Sequence, residues 1–333
     1  MKKILQNNAK IIISLIVGIL LIFVWLKFIN ISEMLSYFKK INIFWLIISI
    51  IIYIGAYFIR SIRWRVILQP VEKISYKQSF TIFMAGMLVN YIIPIRAGEV
   101  AKSFFLKGLK GTPVSKSLPT IFIDKMMDLF PIIILLLLLP FMPIKLSSYL
   151  TWGLAIIFLI FLILLGIILF SLFNKNSAQK LLKTMVFWLP KKWKGKIHNF
   201  LDSFVEGIEV IKENRKKGFL IISLTILAIV FDTFYIVFMF KAFGFAIAIL
   251  VALFGYTLIN LSYILPTPPA QVGSNEAIYI IIFTFAFGID KNLVSATLGF
   301  AHLITSSLIF LIGIISLNIL GISLNKALSL KGE

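Results

Sequence analysis

From Gly86 to Asp128 the chain runs GMLVNYIIPIRAGEVAKSFFLKGLKGTPVSKSLPTIFIDKMMD. An apolar helix stops at Pro94, with Asn90, Arg96 and Glu99 around the stop. A second apolar helix follows and carries Asp124 and Asp128. A charge at the centre of a spanning helix costs about 2.5–3.5 kcal/mol on insertion scales. Several such charges beside a broken helix predict a polar site built at membrane depth.

The rest of the chain supplies the membrane. Of 333 residues, 60% are hydrophobic and only 14% are charged. Apolar runs close to the ~20 residues that a span needs recur along the whole length. They are 11–29, 41–59, 78–93, 117–139, 150–173, 218–240, 250–265, 270–288 and 293–319, which leaves no room for a large soluble domain. The reading is one all-α polytopic membrane domain, 1–333. The formal charge of +20 sits mostly between the runs, as juxtamembrane lysines and arginines do when they set orientation and touch anionic lipid. A nucleic-acid partner is not expected. With no cysteine there is neither a disulfide framework nor a thiolate metal site. Lys2, Lys3 and Lys10 before 11–29 resemble a signal peptide, but the run is long and lacks a small-residue cleavage site, so it reads as a retained first span.

Charge also orders the topology. Lys2, Lys3 and Lys10 put the N-terminus in the cytoplasm, and the second run arrives back at Arg60, Arg63 and Arg65. If 78–93 crossed fully, the lysine-rich segment 175–217 would lie outside. The conflict disappears if 78–107 is a re-entrant hairpin that turns between Asn90 and Glu99. Irregular backbone at depth is tolerated only where protein or a wet cavity covers it, so the Pro94 turn predicts a cavity. The second half repeats the order Gly, Asn, Pro, Gly, Glu: Gly255, Asn260, Pro266, Gly273 and Glu276 follow Gly86, Asn90, Pro94, Gly98 and Glu99. A second hairpin over 250–288, entering from the opposite face, returns the C-terminus to the cytoplasm. The expected fold is therefore six full spans plus two opposed re-entrant hairpins in an inverted repeat, with 41–139 and 218–320 as the repeats. Interrupted helices at the centre of inverted repeats form the binding sites of many transporters. Segment 175–217 reads as a cytoplasmic amphipathic helix or a surface linker.

Two readings stand for each polar group. Arg96 would hold an anionic group such as a lipid phosphate, with Glu99 orienting it; alternatively the two neutralise each other. Asp124 and Asp128, four apart, share a helix face and would couple protons or charge, or form salt bridges with Lys125 and the Arg60–Arg63–Arg65 cluster. Asp232, in the middle of a span, needs a partner, for which Arg96 is the candidate. Arg60, Arg63, Asn260 and Glu276 complete the expected substrate-binding set. Asn90 and Asn260 cap broken helix ends, and His302 reads as a packed, hydrogen-bonded histidine. No phosphate loop, metal-binding histidine pair or nucleophile elbow occurs, so no cofactor, metal or catalytic residue is expected.

The pieces RSIRWR at 60–65, NYIIPIRAGE at 90–99, IDKMMD at 123–128 and the P-x-P-P…G-x-x-E segment at 266–276 resemble the flippase-like membrane domain of lysylphosphatidylglycerol synthases. The resemblance covers most of the chain. It departs at Pro268, Pro269, Ala270 and Gln271, where the family is usually richer in glycine. It implies movement of a polar-headed lipid, a phospholipid or polyprenyl lipid, between the leaflets of the cytoplasmic membrane. It does not imply aminoacylation, which needs a separate transferase domain that is not expected here. A membrane-embedded enzyme acting on a lipid headgroup and an accessory lipid-binding subunit remain the alternatives. A homo-oligomer is compatible with all three.

Overall fold

The computed structural model describes residues 16, 18–93, 98–138, 215–263 and 267–329, with single positions at 152, 156, 159, 162, 163, 166 and 184. The expected span 150–173 and the amphipathic segment 175–217 lie almost wholly outside these residues, as does Arg96. Every regular element among the described residues is helical.

The first helix, α1 (Gly18–Phe28), meets α2 (Ile31–Phe38) at 87°. Asn30 makes the corner: its side chain accepts from the Glu33 N–H at 3.2 Å, and its own N–H donates to Asn292 Oδ1 at 2.8 Å. Helix α3 (Ile43–Leu68) starts on Asn42, whose side chain takes the Phe44 and Trp45 amides. The apolar run was expected to end at residue 59. The helix instead continues nine residues further and carries Arg60, Arg63 and Arg65 inside it. Arginine is a good helix former, and carboxylates of other helices neutralise Arg60 and Arg63; the helix stops just before Pro70, which has no N–H to give.

The first hairpin follows. Ser75 and Gln78 form a reciprocal capping box that starts α4 (Tyr76–Ile92). The helix ends just ahead of Pro94, as the residue before a proline resists helical geometry. Helix α5 (Gly98–Lys110) returns antiparallel to it, so that Gly98 lies against Gly86 and Asn90, and Lys102 against Gly86. A Cβ on Gly98 would overlap the Gly86 carbonyl oxygen and reach 2.7 Å from the Asn90 amide nitrogen. The run 117–139, expected as one span, is divided into α6 (Val114–Met127) and α7 (Phe130–Leu138). The division falls where Pro131 has no N–H for the Met127 carbonyl.

The second half has the same order. Helix α8 (Arg215–Ala242) is followed by α9 (Ile249–Ser262), a break with a short 3-10 turn at Pro269–Gln271, and α10 (Ser274–Tyr279), which runs on as a π-helical stretch Ile280–Ala286. The returning arm lies antiparallel to α9, with Phe283 against Gly255 and Phe287 edge-on to Phe254. Helix α11 (Lys291–Ile319), with a π-turn at Ser295–Gly299, closes the half before the short α12 (Leu324–Ser329). Of these elements α3, α8 and α11 are each long and apolar enough to cross a membrane, and α1 with α2 would be one bent crossing.

The halves meet antiparallel along α3 and α8. Trp45 stacks on Phe238 at 5.2 Å, Tyr53 tilts against Tyr235, and Phe231 fits against Gly55. The remaining contacts are crossed. Helix α4 of the first half packs on α11 of the second, with Leu88 against Gly313 and Tyr91 edge-on to Phe310. Helix α9 of the second half packs on α7 of the first, where Leu135 shares a buried cluster with Phe254 and Ile259.

Candidate functional site

Because α3 is continuous, Arg60 and Arg63, three residues apart, both face the seam with α8. Arg60 holds Asp232 with both terminal nitrogens, donates to the Tyr256 hydroxyl at 2.9 Å, and has Asp128 at 3.8 Å. Arg63 donates from Nε to Asp124 at 2.7 Å and from Nη2 to Asp128 at 2.6 Å and to the Asp124 carbonyl at 3.0 Å. Its last nitrogen reaches Thr225 at 3.4 Å. Asp124 and Asp128 do share one helix face, and α3 fills it with guanidinium. Asp232 was expected to pair with Arg96; it is Arg60 that takes both of its oxygens.

The charges continue to the first break. Lys125 lies 3.0 Å from Asp128 and 3.2 Å from Glu99, which also pairs with the buried Lys102 at 2.5 Å. Lys102 further sits 4.3 Å from the Phe83 ring centroid. Asn90 closes the break from the other side: its amide donates to Glu99 at 3.2 Å, and its oxygen accepts from the Gly98 N–H at 2.8 Å. Four cations thus face four carboxylates in one connected network. Charges this deep persist only when paired.

A cavity of about 150 Å³ opens in front of this network. Asn90 and Glu99 reach it from the first hairpin, and Asn260, Gln271 and Asn275 from the second; Arg60, Asp128 and Asp232 form its floor. It thus borders both helix breaks. Asn260 bridges the halves, donating to the Asp128 carbonyl at 3.3 Å and to the Tyr256 hydroxyl at 3.1 Å. Arg63 and Asp124, both 1% exposed, lie behind the wall, out of reach of anything in the cavity. Glu276 also stands behind it, bonded to His302, which does line it.

Sequence reasoning missed the tyrosines. Seven of the ten in the chain line this one cavity: Tyr53, Tyr57, Tyr91, Tyr235, Tyr256, Tyr263 and Tyr279. Each pairs an apolar ring with a hydroxyl that seeks a partner when buried. Their signal is position: all seven fall within apolar runs, and Tyr53, Tyr235, Tyr256 and Tyr279 lie well inside them, whereas interfacial tyrosines cluster at run ends.

The model of the lysylphosphatidylglycerol synthase TM region matches residues 11–313. The chain belongs to this family. The match takes in both hairpins and the network between them, and the chain is a multi-pass membrane protein. It is similar to a UPF0104 membrane protein of Methanocaldococcus jannaschii, at 22% identity over 94% of this chain and 96% of that one. A UPF0104 membrane protein of Methanothermobacter thermautotrophicus is 18% identical over 95% and 97% of the two chains. A further relative from M. jannaschii, also a UPF0104 membrane protein, is 24% identical over 69% of this chain and 92% of its own length. No solved structure matches.

Proposed function

We propose that this protein moves a polar-headed, phosphate-bearing lipid between the leaflets of the cytoplasmic membrane and catalyses no bond change. The observation that carries the reading is the cavity bordered by both helix breaks. A headgroup entering there meets polar side chains from both halves, while its acyl chains stay in lipid. Family membership supports a lipid-related role. In this reading Arg96, in the sequence between α4 and α5, holds the phosphate by charge-assisted hydrogen bonds. The paired charges below give the cavity a polar floor without a loose ion to trap the headgroup.

The test is leaflet protection in proteoliposomes, with fluorescent anionic and zwitterionic phospholipids and a quencher added outside. Wild-type protein should give extra quenching beyond the outer-leaflet half, and Arg96→Ala should remove it while unfolding as wild type does. Wild-type flux in that variant would sink the assignment of Arg96.

The same reading makes α4–α5 and α9–α10 re-entrant, in an inverted repeat with both termini cytoplasmic. The chain has no cysteine, so single cysteines can be placed without removing others. Lys73→Cys and Lys110→Cys, before and after the first hairpin, should be labelled from the same side by an impermeant maleimide. Labelling from opposite sides would mean that the hairpin crosses.

A further inference from the structure

The second break is held in a conformation that its residues resist. Ala270 and Gln271 have φ of 51° and 61°, successive left-handed positions without a glycine. Such residues are strained and persist only where their surroundings impose the conformation. Four side chains hold it: Ser274 donates to the Gln271 carbonyl at 2.9 Å and Asn275 to Gln271 Oε1 at 3.0 Å, and Glu276 and His302 brace its two ends. His302 of α11 places Nε2 2.8 Å from the Ala270 carbonyl oxygen, and Glu276 places Oε2 2.7 Å from the Gly273 N–H. The two side chains meet each other, His302 Nδ1 to Glu276 Oε1, at 2.6 Å.

Those contacts fix the hydrogens. A carbonyl oxygen only accepts, so Nε2 carries a hydrogen. The short Nδ1–Oε1 contact then needs a second one, whether written as imidazolium and carboxylate or as imidazole and carboxylic acid. Without it, two acceptors would face each other at hydrogen-bond distance. The aspartates of the network differ, since each already accepts from a guanidinium. His302 is buried and Glu276 partly so, yet His302 lines the cavity, and so does Asn275, whose buried Oδ1 has no hydrogen-bond partner among the described residues.

We propose that Glu276 and His302 share one exchangeable proton, and that its loss to water in the cavity releases the Ala270–Gln271 turn. Losing it leaves the Glu276 carboxylate facing the bare Nδ1 lone pair; the two separate, and His302 no longer braces the Ala270 carbonyl. The water takes the proton as hydronium, and no other bond changes. The other titratable groups lining the cavity are its seven tyrosines and Arg60, Glu99, Lys125, Asp128 and Asp232; these five charged groups are engaged in the network of ion pairs. The described part of α1, which packs against Pro268 and Val272, carries only Lys27, at its far end. Coupling of this proton to lipid movement rests on the transport reading; the proton site itself does not.

Nitrogen-15 histidine labelling of the whole protein in lipid bilayers tests the site. The chain has two histidines, His198 and His302, so His198→Gln leaves a single spectrum. The expected result is a protonated or shared Nδ1 at low pH that becomes a bare nitrogen in one step as the pH is raised. In Glu276→Gln it should be bare throughout. A spin label on Val272→Cys should gain mobility with the same midpoint, and lose that pH dependence in His302→Gln. An Nδ1 that is bare at every pH, or that never changes, overturns the proposal, as does a label indifferent to the step. In the proteoliposome assay, flux that follows an imposed pH gradient supports coupling, and flux that ignores it overturns coupling alone. A pair that titrates while no lipid moves leaves the proton site standing and sinks the transport reading instead.

Discussion

Replacing Arg63 by alanine should cost about 3–5 kcal/mol of stability, the usual effect of removing one partner from a buried ion pair. Arg63 is 1% exposed and holds two aspartates and a backbone carbonyl from α6. Its removal leaves Asp124 sealed in the interior with no guanidinium, and Asp128 with only Lys125 and the more distant Arg60. The variant should show a large drop in unfolding midpoint in detergent. Adding Asp124→Asn should restore part of it, since the orphaned charge rather than the lost contact carries most of the cost. Arg65→Ala is the control. That side chain donates to the Ile74 carbonyl and lies over the Tyr76 ring, and should cost about 1 kcal/mol. Equal midpoints for the Arg63 and Arg65 variants would mean that the buried network does not stabilise the fold.

Gly98→Ala should be as damaging for a different reason. Its Cβ would overlap one backbone carbonyl and crowd the Asn90 amide nitrogen. Neither can swing aside as a side chain would, so α5 must move away from α4. Overpacking commonly costs about 1–3 kcal/mol, and rigid backbone on both sides places this case at or above the top of that range. The move would also break the Asn90 bonds to Gly98 and Glu99 that close the hairpin. Gly108 of the same helix has open space around it. Gly108→Ala should be neutral or gain up to about 1 kcal/mol from helix propensity. Unfolding midpoints of the two variants in parallel decide the matter; a tolerated Gly98→Ala would mean that the hairpin is looser than described.

How far the sequence discloses these features depends on the range of the interaction. The breaks after Asn90 and after Asn260 are local, written in proline and glycine, and the structure places both where the letters do. The face shared by Asp124 and Asp128 is also local. The partners are legible only in part. Salt bridges of Asp124 and Asp128 with Lys125 and the arginine cluster are one of the two readings the letters allow, and Arg63 and Lys125 make them. The pairing of Arg60 with Asp232 is not foreseen, because hydropathy cannot distinguish a charge at a membrane surface from one buried against a carboxylate 172 residues away. His302 and Glu276 lie on separate elements, so neither announces the other. The left-handed turn at Ala270–Gln271 has no glycine to mark it, since tertiary contacts impose it against local preference. The tyrosines were legible in principle: seven within apolar runs is a pattern, visible only once their positions in the runs are compared.

The crossed packing of the two halves bears on how the protein is made. The helix that clasps α4 begins at Lys291, about 200 residues after α4 ends. At about 5–20 residues per second of synthesis, the first hairpin waits some 10–40 s for it. During that interval the face of α4 that α11 covers has no partner. The nascent chain must be sheltered by the insertion machinery, and the first half made alone should be a substrate for membrane proteases rather than a stable fragment.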